Sequence, residues 1–128
     1  MKPITQEWIN KAESDWVSAQ REARARKRPN YDLSCFAAQQ CAEKYLKARL
    51  AEAGIIFRKT HDLSGLLNSA LPIEPGWNVL QSDLSYLNAF AIDYRYPGVN
   101  ATKTTARDAL KSCRRVRKII RTAFGLPV

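Results

Sequence analysis

The stretch Phe36-Ala37-Ala38-Gln39-Gln40-Cys41-Ala42-Glu43-Lys44-Tyr45-Leu46-Lys47-Ala48-Arg49-Leu50 decides the fold. Phe36, Ala37, Ala38, Cys41, Ala42, Tyr45, Leu46 and Leu50 recur at helical spacing but cover more than one narrow stripe. A helix this apolar packs against neighbours on two sides, as the central helix of a bundle does. The spacing predicts a helix from about Tyr31 to Ala53. Asn30 or Asp32 can cap it, and Gly54 is placed to close it in the left-handed conformation. Glu43 and Lys47 form a favourable pair one turn apart.

Working outward, Trp8, Ala12, Trp16, Ala19 and Ala23 mark a first helix from about Thr5, a plausible N-cap, to Lys27. It ends in a basic tract, Arg24, Arg26, Lys27 and Arg28, before Pro29. Downstream of the central helix, Thr60 or Asp62 can cap a short third helix reaching about Ala70. Pro72, Pro75 and Gly76 break the chain. A fourth helix beginning near Gly76 to Val79 turns Leu80, Leu84, Leu87 and Ala91 inward and stops near Asp93. Tyr94-Arg95-Tyr96-Pro97-Gly98 reads as a loop. Thr102 can cap a last helix that buries Ala106, Leu110, Cys113, Val116 and Ile120 and ends at Gly125. No stretch alternates as a strand would. The expectation is an all-α protein, an antiparallel up-and-down bundle of four long helices and one short one, with residues 1–128 forming a single domain.

Composition limits the function. Apolar residues make up 45% of the 128 and charged residues 26%, an ordinary globular balance. No apolar run approaches the roughly 20 residues of a membrane span, and Met1 to Thr5 lack the apolar core of a signal peptide, so a cytoplasmic protein without membrane contact is expected. Cys35, Cys41 and Cys113 lack paired spacing and read as small buried hydrophobes. With one histidine and no C-x-x-C, neither a metal site nor a cofactor is expected. The formal charge of +9 favours a polyanion or an acidic partner. On the last helix Arg107, Lys111, Arg114, Lys118 and Arg121 form one cationic stripe. Such a stripe can follow a phosphate backbone, or it can be a solvated face.

His61 is the one side chain able to take and give a proton near neutral pH without help. It stands beside Arg58 and Lys59 at a helix start, where a phosphate would be held by helix N–H groups and guanidinium. There it could act as general base or acid on a ribose hydroxyl, or it could steady the turn through a backbone hydrogen bond. Cleavage needs two proton-transfer groups, and a symmetric dimer would supply the second. Arg95, between Tyr94 and Tyr96, could clamp a phosphate beside a stacked base, or tie its loop to Glu43.

Three blocks together resemble the HEPN domain family (higher eukaryote and prokaryote nucleotide-binding). They are Phe36 to Ala48, the turn Lys59-Thr60-His61-Asp62-Leu63, and the loop Arg95-Tyr96-Pro97; Trp8 to Asp15 is similar to the family's opening helix. The resemblance implies a dimerising helical bundle that binds nucleotide or RNA. It also implies partnership with a minimal nucleotidyltransferase in a toxin–antitoxin-like module. Many members are metal-independent ribonucleases whose arginine and histidine stand further apart than Arg58 and His61, which have two residues between them. The ribonuclease signature is not met as written, and Arg95 replacing the missing arginine in space is a hypothesis. The candidate catalytic residues are thus His61, Arg58 and Arg95. The candidate nucleotide- or phosphate-binding residues are Lys59, Thr60 and Asp62 of the turn, Glu43, Lys44 and Lys47 of the helix, and Tyr94 and Tyr96. Three functions remain open: a binding module, a ribonuclease, and a structural helical adaptor without ligand.

Overall fold

The computed structural model describes residues 1–91 and 96–128. Five α-helices follow one another: α1 (Pro3–Arg24), α2 (Tyr31–Glu52), α3 (Leu63–Ala70), α4 (Gln81–Asn88) and α5 (Lys103–Ala123). There is no strand among the described residues. The all-helical bundle read from the sequence is the one observed.

The central position of α2 follows from its composition. Cys35, Ala38, Cys41, Ala42, Tyr45, Leu46, Ala48 and Leu50 are fully buried, and α2 packs on α1, α3, α4 and α5. Each large aliphatic side chain removed from water contributes about 1.5–3 kcal/mol, so the run from Tyr45 to Leu50 is a principal source of cohesion. The Asn30 side chain caps α2 by accepting from the Leu33 N–H. Asp32, the other candidate cap, instead accepts from the Ala101 N–H at 2.6 Å and fixes the approach to α5. Gly54 follows the helix at φ +71°.

Two boundaries differ from expectation at α1. The helix starts at Pro3, whose fixed φ suits a first turn. Thr5 is therefore inside the helix, fully buried, and its hydroxyl donates to Glu52 Oε1 at 2.8 Å rather than capping. The helix ends at Arg24, so Arg26, Lys27 and Arg28 form an exposed corner, with Arg28 at φ +52°. The fourth helix is composite: a 3-10 turn over Pro75–Leu80 runs into α4, and a second 3-10 turn covers Ala89–Ala91. Leu80, Leu84, Leu87 and Ala91 point inward. The expected end near Asp93 lies outside the described residues. α5 opens with a capping box between Thr102 and Thr105, and Ala106, Leu110, Cys113, Val116 and Ile120 are buried.

A polar staple joins three helices. Glu13 on α1 accepts from Arg117 Nε and Nη2 at 2.7 Å each and from the Tyr45 hydroxyl, and Arg121 Nη1 donates to that hydroxyl at 3.0 Å. Burial alone would push the Glu13 carboxyl up. The hydrogen bonds from Arg117 and Tyr45 and the charges of Arg117 and Arg121 outweigh it and hold the group below the usual carboxylate range. Among the described residues no helix is long and apolar enough to cross a membrane.

Candidate functional site

His61 sits on the connection between α2 and α3. Three helices hold the turn around it. Gln39 on α2 donates through Nε2 to the His61 carbonyl at 3.1 Å. Asp62 caps α3 by accepting from the Ser64 N–H, while its own N–H donates to the Thr60 hydroxyl. Asn88, at the end of α4, accepts from the Leu63 N–H at 2.9 Å and donates to Asp62 Oδ1 at 3.4 Å. Aspartate and threonine at these positions favour the turn because both satisfy N–H groups that the first helical turn leaves open. The cap is Asp62, with Thr60 in support.

The ring is held as firmly as the backbone. His61 Nδ1 lies 2.7 Å from Glu43 Oε1. The Glu43 side chain is 4% exposed and that of His61 is 63% exposed. A carboxylate accepts and cannot donate while ionised, so this pairing puts the hydrogen on Nδ1 and leaves Nε2 as the acceptor of a largely exposed ring. Glu43 is itself anchored: its Oε2 accepts from Lys47 Nζ at 3.0 Å, and Gln40 Nε2 lies 3.4 Å from Oε1. Lys47 is buried and lies over the rings of Trp8 and Phe57, at 5.5 and 5.8 Å from their centroids. The result is a chain from an apolar-seated ammonium through a buried carboxylate to an exposed imidazole.

The other candidates separate into groups. Arg58 and Lys59 are exposed beside His61, and Arg58, Thr60 and Asp62 line a hollow of about 420 Å³ with Ile56 and Phe57. Glu43 and Lys47 are buried and reach any ligand at this turn only through His61. Lys44 points to α1, where its ammonium pairs with Asp15 at 2.6 Å. Tyr96 is exposed. Tyr94 and Arg95 lie outside the described residues, and with them the suggested tie between Arg95 and Glu43. On α5, Arg107, Lys111, Arg114 and Lys118 are exposed. Arg121 leaves the stripe: it binds the Pro127 carbonyl and the Tyr45 hydroxyl and lies 3.6 Å from Glu13. Gln39, Gln40 and Asn88 were not legible as site residues. The signal in the first two was an adjacent polar pair inside the apolar run from Cys35 to Ala42.

The HEPN domain model matches residues 5–123, nearly the whole chain. This chain belongs to the HEPN family. The fold of TT1696 from Thermus thermophilus is similar, with a TM-score of 0.80 at 22% identity, covering 92% of this chain and 96% of that one. An archaeal HEPN homologue superposes with a TM-score of 0.73 at 27% identity, covering 96% of this chain and 98% of its own. No curated protein matches the chain. Within this HEPN chain, residues that carried the resemblance come together: Gln39 and Glu43 of α2 bond His61 in the turn from Lys59 to Leu63.

Proposed function

We propose that this HEPN protein binds the phosphate of a nucleotide or of RNA at the His61 turn, as the partner of a minimal nucleotidyltransferase in a cytoplasmic toxin–antitoxin-like module. The observation that carries the reading is the contact between the exposed His61 ring and the buried Glu43 carboxylate. A histidine that only steadied a turn would not need its ring oriented from below by a carboxylate that is itself charge-paired. Arg58 and Lys59, exposed on the same connection, supply positive charge, and the α3 N-terminus adds its dipole. Family membership supports the partner and a homodimer.

The same contact favours a second reading, metal-independent cleavage of RNA. His61 Nε2 would take the proton of a ribose 2′-hydroxyl, whose oxygen attacks the adjacent phosphorus. The P–O5′ bond breaks, and the leaving oxygen takes a proton from the imidazolium of His61 of a second copy across a dimer cleft, so that one ring ends protonated and the other neutral. Glu43 would act as a positioning residue, and Arg58 would offset charge on the phosphate.

The test is cleavage of labelled total RNA with chelator present, beside mononucleotide binding, for the wild type, His61→Ala and Glu43→Gln. Cleavage that vanishes with His61→Ala and drops about 10²–10⁴-fold with Glu43→Gln assigns proton transfer. Nucleotide binding without cleavage, weakened in His61→Ala, supports the binding module. Neither activity from the wild type sinks both readings and leaves the structural adaptor.

A further inference from the structure

The six lysine and arginine ion pairs of the described residues engage Lys44, Lys47, Arg49, Arg115, Arg117 and Arg121. The cations outside those pairs are not evenly spread. Arg24, Lys103, Arg107, Lys111 and Arg114 line one groove between the first half of α5 and the corner where α1 gives way to α2. Ala23 and Leu110 floor it, Tyr31 is its one aromatic, and no carboxylate lines it. Asp32, the nearest acid in sequence to Tyr31, is committed to the Ala101 N–H. Lys103 is the first residue of α5, so the positive end of that helix adds to the same field.

We propose that this groove is a track for the phosphodiester backbone of a single-stranded nucleic acid, separate from the His61 turn. Three observations select that ligand. The charge is one-signed and arranged in a line: Lys103 to Lys118 spans about 22 Å at 1.5 Å per residue, and Lys118 carries the stripe beyond the groove. Arg26, Lys27 and Arg28, exposed just after the groove residue Arg24, add further positive charge at the corner. The groove holds about 260 Å³, below the roughly 300–1,000 Å³ of sites that enclose a small molecule. It suits a strand that passes through. Tyr31 offers a single stacking face, which every base can use. The bases otherwise face solvent, so the track holds a strand without reading its sequence. Along α2, Tyr31 and Glu43 are about 18 Å apart, and the groove shares no residue with the His61 turn.

The experiment is fluorescence anisotropy of the full chain with a labelled oligouridylate of about 15 nucleotides across a salt series. Five phosphate contacts give a slope of log K against log salt near −3.5, so a fourfold rise in salt costs about 10²-fold in affinity. Lys111→Gln makes the slope shallower by about 0.7, and Arg107→Gln with Lys111→Gln by about twice that. Lys11→Gln, which removes the same charge from α1, leaves the slope unchanged. These side chains are exposed, so the variants keep the wild-type melting temperature. In the His61→Ala background, which loses nucleotide binding or cleavage, Lys111→Gln still makes the slope shallower by about 0.7, which separates this track from the His61 reading. An unchanged slope in the double variant overturns the proposal. So does inorganic tripolyphosphate binding as tightly as the oligonucleotide, which would make the groove a small-anion pocket.

Discussion

Replacing Lys47 with methionine isolates the buried pair beneath His61. The side chains of Lys47 and Glu43 are 6% and 4% exposed, with 3.0 Å between ammonium and carboxylate. Methionine keeps most of the stem that packs on Trp8 and Phe57 but removes the charge. Glu43 is then left with His61 and a long contact to Gln40. Removing one partner of a buried pair costs about 3–5 kcal/mol, because the other charge stays out of water uncompensated. The lost cation–π contacts add about 1 kcal/mol. For a chain of this size that lowers the melting temperature by roughly 10–25 °C. Replacing both partners, Glu43→Gln with Lys47→Met, leaves no unpaired charge and returns stability to within about 2 kcal/mol of wild type. Urea unfolding at neutral pH, followed by far-UV circular dichroism, measures all three. A single variant within about 1 kcal/mol of wild type would refute the reasoning, since it would mean water already reaches the carboxylate. A double variant as unstable as the single would show that shape, not charge, is what Lys47 contributes.

Two further outcomes follow from the core. The Glu13 carboxyl is held below its ordinary value of 4.5, so its contribution is fully present above that pH and is lost as pH falls through the lower folded-state value. Acid titration of stability should therefore fall less steeply for Glu13→Gln than for wild type below about pH 4.5, and equal slopes would count against the staple. Burial pushes the Cys35 thiol up to about 12, with the Asp32 charge adding to it, and raises Cys41 well above its ordinary value, with Cys113 adding to it. All three thiols should resist a disulfide reagent in the native protein at pH 8 and react promptly in denaturant, whereas a fast native thiol would contradict the packing of α2.

The core was legible because it depends on periodicity. The inward residues of α2, α4 and α5 are those that helical spacing selects, and burial confirms them except for Phe36, which is half-buried. The ends were less legible, because capping depends on which of several polar residues is nearest. Thr5 and Asp32 both looked like caps, yet each is drawn away by a partner from a distant segment, Glu52 and the Ala101 N–H. At the turn, the importance of His61 followed from its being the lone imidazole. Its carboxylate partner did not, because 18 residues separate Glu43 from His61 and the sequence supplied Lys47 as a local partner for Glu43. Glu43 serves both. On α5 the stripe was read as uniform, but only the three-dimensional position of Tyr45 and Glu13 shows that Arg121 turns inward while Arg107 and Lys111 stay in water.

The staple at Glu13 also bears on the order in which the chain folds. Its contact with Tyr45 closes a loop of 32 residues and its contact with Arg117 one of 104. The longer closure costs about 1 kcal/mol more in chain entropy. The α1–α2 hairpin can therefore form as an early local unit, and α5 docks onto it later. Interactions made late slow the escape from the native state more than they speed its formation. On that ordering, the Glu13–Arg117 clasp acts as a latch on the finished bundle: it sets how long the protein stays folded, and the hairpin sets how fast it gets there.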